Sequence, residues 1–136
     1  APLRSGQTMP QLAAGMINEI MGPNADPKGR DIAIASMAAV PAATYKACVE
    51  AIVTFEERAN LGQIRVPALC LVGELDTNAP AAMMQRMAAK IPGATFVGLP
   101  GLGHLPNLEN AAAFDAAVLG FLRNLNASDT TERSAG

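Results

Sequence analysis

Asp76 and His104 are the two residues of this sequence best placed to move a proton together. His104 is the only histidine, and an imidazole whose Nδ1–H is held by a carboxylate offers Nε2 as a general base toward a nucleophile. The two positions lie 28 residues apart. Each ends an apolar run or a glycine turn: Leu69-Cys70-Leu71-Val72-Gly73-Glu74-Leu75-Asp76 and Gly101-Leu102-Gly103-His104. Glu74 lies near the same run and competes with Asp76 for the carboxylate role. Missing from the set is a nucleophile. No Gly-x-Ser-x-Gly turn, the strand-to-helix corner that exposes a reactive serine, occurs anywhere in the sequence. Ser5, Ser36, Ser128 and Ser134 all lack that setting, and Ser36 falls in a helical pattern where a hydroxyl bonds the local backbone. An acid and a base without nucleophile or oxyanion donors retain at most weak proton-transfer chemistry.

The elements around these residues determine whether they can meet. Ala68-Leu69-Cys70-Leu71-Val72-Gly73 is a short continuous apolar run bounded by Pro67 and Gly73, the pattern of a buried parallel strand. Pro80 to Lys90 has helical spacing, and Ala94-Thr95-Phe96-Val97-Gly98-Leu99 is a second strand candidate before the Pro100-Gly101 turn. Strand, helix, strand in this order predicts a right-handed parallel unit, whose chemistry belongs just beyond the carboxyl ends of the strands. Both Asp76 and His104 fall there, and their spacing suits one crossover helix plus one strand. Gly101 and Gly103 allow the tight backbone that would swing an imidazole off the strand end.

Ahead of this unit the pattern is helical. Thr8 is placed to cap a helix with Pro10 in its first turn and Leu12, Met16, Ile17, Ile20 and Met21 on one face, stopped by Gly22-Pro23. A second helix is predicted from Asp31 to about Val40. A third is predicted from Pro41 to Phe55, with Tyr45, Val49, Ile52 and Val53 forming an apolar stripe that reads as core. A polar link covers 56–64. At the far end, Asn110 to Leu125 places Phe114, Val118, Leu119, Phe121 and Leu122 on one helical face, and the polar composition of 126–136 predicts a disordered tail.

Composition narrows the partners. The 136 residues suffice for one domain, and the 50% hydrophobic and 16% charged content suits elements covered on both faces. A net charge of −2 with no basic run argues against nucleic acid. No apolar stretch reaches the ~18 residues of a membrane span and no signal-peptide pattern opens the chain, so a cytoplasmic protein is expected. Ala1 in place of an initiator Met fits either processing or a piece of something longer. Cys48 and Cys70 match no metal spacing, and one histidine without clustered carboxylates predicts neither metal nor cofactor.

From Leu61 to Leu122 the chain resembles the C-terminal portion of an α/β-hydrolase. The ordered motifs that carry the likeness are Ile64-Arg65-Val66-Pro67, Val72-Gly73-Glu74-Leu75-Asp76, Ile91-Pro92-Gly93-Ala94, Gly101-Leu102-Gly103-His104, Leu108-Glu109 and Phe114. The resemblance implies Asp76, rather than Glu74, as the triad acid and His104 as the base. Glu109 reads as a capping or pairing residue near the last helix, with no catalytic part. The phrasing is similar to enol-lactone hydrolases and cofactor-free haloperoxidase-like esterases. The implied architecture is a partial α/β-hydrolase fold: a helical lid-like segment over 1–60, then a β-α-β-α core piece with two parallel strands over 61–125, then the tail. Its apolar, Met-rich lid-like helices suit an adaptable pocket.

Two functions are expected from this reading. One is the C-terminal part of a serine hydrolase of a small-molecule carboxylic ester or lactone, inactive alone, with the nucleophile on a missing N-terminal core. The other is a stand-alone, non-catalytic remnant serving as an oligomerisation or binding module. Two strands leave open edges, so the expected partner is that N-terminal core or a second copy of the chain, and the isolated chain is predicted to oligomerise.

Overall fold

Two short strands set the frame of this computed structural model, which describes residues 6–134 and the side chains of residues 6–126. β1 (Leu69–Gly73) and β2 (Thr95–Leu99) pair in parallel, with Leu69 opposite Thr95 and Gly73 opposite Leu99. The crossover between them contains α4 (Ala81–Ala88). Strand alternation divides the two faces. Cys70 and Phe96 point to the α4 side, where Cys70, Ala88 and Ile91 form a buried cluster joined by Leu61, Ile64 and Met87. Leu69, Thr95 and Val97 face α6 (Ala111–Ser134) across a gap of about 350 Å³ lined by Ala116, Gly120 and Phe121.

The helices before the sheet build a second core. α1 (Met9–Ile20) starts at Thr8, whose backbone N–H and hydroxyl both donate to Gln11 Oε1 at 3.0 and 3.1 Å, the return half of a capping box. α2 (Pro27–Ala38) packs on it through Ile17, Met21, Ala25 and Ala33, with Leu105 and Leu108 partly buried against the cluster. α2 begins four residues earlier than the periodicity predicts. Asp26 Oδ1 accepts from Lys28 N at 2.9 Å and Pro27 presets the first turn, so the helix starts on its cap rather than on its first apolar residue.

α3 (Ala42–Thr54) turns away from α2 by 98°. Its stripe is not core. No residue of α3 is buried, and Ile52, Val53 and the following Phe55 are 73%, 80% and 73% exposed. Apolar periodicity marks a face suited to cover; Tyr45 at its start is half-buried with its hydroxyl on Met16 Sδ at 3.7 Å, while Val49, Ile52 and Val53 stay exposed. Phe55 also borders a groove of about 560 Å³ with Leu61, Met83, Met84 and Met87.

A four-residue helix, α5 (Pro106–Glu109), leads into α6. α6 continues to Ser134, in place of the disordered tail expected from residue 126. Gly120 is the only glycine and there is no proline between Ala111 and Ser134, so no residue type compels a stop. Residues 135 and 136 lie outside the described residues, as does Ser5. No single described helix is long and apolar enough to cross a membrane.

Candidate active site at the strand ends

Beyond Gly73 the chain keeps bonding to the segment after β2. Glu74 N donates to Leu99 O at 3.0 Å and Leu75 N to Leu102 O at 2.8 Å, so the two exits run side by side. Asp76 then turns back, its N–H donating to Gly73 O at 3.1 Å. Asp76 Oδ1 accepts from Asn78 N at 2.8 Å and Ala79 N at 2.9 Å, which fixes its rotamer. Its other oxygen, Oδ2, lies 2.8 Å from His104 Nδ1.

The His104 loop is seated by close backbone contact. Gly101, at φ +75°, supplies the left-handed turn after β2. Gly103 has no such φ, but a Cβ there would lie 2.4 Å from Ile20 O and 2.7 Å from Gly22 N. The absent side chain lets the loop press against the end of α1, where His104 N donates to Ile20 O at 2.9 Å. A Cβ on Gly73 would in turn lie 2.1 Å from Gly103 O, so β1 and the loop are in direct contact as well.

Burial separates the roles of the pair. Asp76 is 7% exposed. Burial raises its pKa, but hydrogen bonds from Ala79 N, His104 and Asn78 N outweigh that and hold the carboxyl below its ordinary value. The His104 side chain is 38% exposed. With Nδ1 against a buried carboxylate, Nε2 is the ring nitrogen left to take a proton.

Glu74, the competing acid, is exposed and has no hydrogen bond to His104 among the described residues. Ser36 is exposed on α2, and no described hydroxyl or thiol hydrogen-bonds to His104. Cys70 is buried under α4, where loss of solvation pushes its thiol pKa up; Cys48 is exposed on α3. Neither groove described above includes Asp76 or His104 in its lining.

Glu109 is the residue whose place the sequence does not reveal. It is 2% exposed, and its carboxylate accepts Gly22 N at 2.8 Å, Gly103 N at 2.7 Å and Leu105 N at 3.0 Å. The sequence marks it as a capping or pairing acid near the last helix, and the structure sets it at the end of α5 with three backbone amides as its partners.

The profile of the alpha/beta hydrolase family matches residues 5–117. The polyketide synthase ThaQ of Burkholderia thailandensis is 34% identical over 74 residues, which is 54% of this chain and 4% of that protein. A hydrolase from Pseudomonas aeruginosa is similar in structure at TM-score 0.75 and 32% identity, over 85% of this chain and 44% of that one. An enol-lactonase from Burkholderia xenovorans is similar at TM-score 0.77 and 28% identity, over 85% of this chain and 45% of that one. The chain therefore spans less than half the length of the solved structures it matches.

Proposed function

This chain belongs to the alpha/beta hydrolase family, and we propose that it supplies the acid–base half of a serine hydrolase acting on a carboxylic ester or lactone. The observation that carries the proposal is the 2.8 Å contact between Asp76 Oδ2 and His104 Nδ1 beyond the carboxyl ends of two parallel strands. The enol-lactonase among the similar structures supports the cyclic-ester end of that range.

His104 Nε2 takes the proton of a serine hydroxyl as its oxygen bonds to the substrate's carbonyl carbon. Asp76 holds Nδ1–H and stabilises the imidazolium that forms. The tetrahedral adduct collapses by breaking its bond to the alkoxy oxygen, which receives the proton from Nε2 and leaves as an alcohol from an open-chain ester or stays on the acyl chain as the hydroxyl of an opened lactone. Water then repeats the sequence on the acyl-enzyme, releasing the acid and restoring the serine. In this reading the serine and the oxyanion donors belong to residues outside this sequence, which itself has no Gly-x-Ser-x-Gly turn.

The test is to express this chain joined to whatever its gene encodes upstream of Ala1 and to assay a panel of esters and lactones. Turnover that disappears in His104→Ala supports the proposal. Turnover unaffected by that substitution overturns it. A second reading, a non-catalytic binding or oligomerisation module, draws on the uncovered apolar residues of α3. Absence of an upstream serine turn together with a stable dimer would favour that reading.

A further inference from the structure

We propose that Glu109 is the positioning residue of the Asp76–His104 pair, a buried clamp that fixes the imidazole by holding the backbone on both sides of it. Gly103 N and Leu105 N are the amides that flank His104 in sequence, and both donate to this one carboxylate. Oε2 takes Gly103 N at 2.7 Å together with Gly22 N at 2.8 Å, while Oε1 takes Leu105 N at 3.0 Å. The amide of His104 itself goes elsewhere, to Ile20 O at 2.9 Å. Three consecutive amides are thereby anchored, which leaves the His104 backbone little freedom to rotate and leads its side chain toward Asp76.

Charge makes the arrangement specific. Glu109 is 2% exposed and has no salt-bridge partner among the described residues, so backbone N–H groups are what compensate its burial. A residue serving only as a helix end would not need donors from two distant segments. The clamp also joins the site to the helices above it. Glu109 O accepts Asp26 N at 3.0 Å, and Arg30 Nη2 donates to Gly22 O at 3.0 Å, so the α1–α2 connection is fastened at both of its ends.

The catalytic consequence rests on reading Asp76 and His104 as the acid–base pair. The test reads the pair directly and is independent of whether hydrolysis is found. In the 15N-labelled 136-residue chain, the ring Nδ1 proton of His104 is expected as a low-field resonance, with protected amides at Gly103 and Leu105. Glu109→Gln keeps the volume but turns an N–H₂ toward backbone donors. Exchange at those two amides is expected to accelerate about tenfold to a hundredfold, and the Nδ1 proton signal to be lost, while the circular dichroism stays native. A folded Glu109→Gln chain with the Nδ1 signal and both protections unchanged overturns the proposal. Should that variant not fold, the wild-type chain decides. Loss of the Nδ1 proton in step with the Gly103 and Leu105 amides supports the clamp, and an Nδ1 signal that outlasts their exchange overturns it.

Discussion

Gly73→Ala is the sharpest test of how this site is held. The new Cβ would fall 2.1 Å from Gly103 O and 2.4 Å from Leu102 O, where ordinary contact begins near 3.4 Å. Both atoms are backbone, so no side chain can swing aside. The His104 loop has to retreat from β1 by more than an ångström, and the 2.8 Å bond from Leu75 N to Leu102 O goes with it. Overpacking of this kind costs about 1–3 kcal/mol and the lost hydrogen bond about 0.5–1.5 kcal/mol, giving a loss of about 1.5–4.5 kcal/mol. That is a large share of the ~5–15 kcal/mol that stabilises an ordinary domain. Urea unfolding of both chains measures it, with an unchanged slope showing that the midpoint shift reflects stability. Gly15→Ala is the control. It lies in α1 with nothing within 4 Å of its Cβ, so the same chemical change there should stabilise by about 0.5–1 kcal/mol. A Gly73→Ala chain within about 0.5 kcal/mol of wild type would refute the reasoning, because the loop would then have to yield freely.

Asp76→Asn leaves Oδ1 free to accept Asn78 N and Ala79 N but can turn an amide N–H toward His104 Nδ1. The ring is expected to carry its proton on Nε2, visible in its 15N shifts, and turnover in the active enzyme to fall about 10⁴-fold; an unchanged tautomer refutes this. Acid should reveal the same carboxylate. Its folded pKa is depressed, so its contribution is fully present above the ordinary value of 3.8 and lost as pH falls through the lower folded value. The Tm difference between wild type and Asp76→Asn should therefore shrink on acidification from about pH 6 to about pH 2, and a constant difference would contradict the assignment. Ile52→Ser and Val53→Ser, at 73% and 80% exposure, should each change stability by less than about 0.5 kcal/mol by denaturant unfolding. A larger loss would mean that this face is covered in solution.

The parallel unit was legible because Pro67 and Gly73 bracket an apolar run too short for a helix, and one crossover fits the spacing that follows. The Asp76–His104 contact followed from the same geometry, since two strands of equal length deliver their next residues to one edge. α3 was read correctly as a helix and incorrectly as core. Periodicity records which side of a helix is apolar and carries no information on what meets it. The polar composition from residue 126 suggests a disordered tail, whereas the backbone of α6 continues as helix to Ser134 with no proline to stop it. Glu109 was legible as a capping or pairing acid near the last helix, but its partners were not. Its partners are backbone amides of Gly22, Gly103 and Leu105, and an amide is present at every non-proline residue, so no pattern of side chains announces the clamp.

The seam between α1 and the His104 loop also limits how such a gene can be recombined. A chimera drawing residues 9–38 from one parent and 69–109 from another leaves the Asp76 and His104 codons intact, yet it brings strangers together at Ile20, Gly22 and Gly103. A larger residue at either glycine in either parent would displace the base without touching a residue that reacts. Placing the crossover in the exposed link over 56–60 does not avoid this, because it still separates Ile20 and Gly22 from Gly103. In this fold the unit of inheritance is drawn by backbone contacts between distant segments, and a contiguous stretch of codons is a poor guide to it.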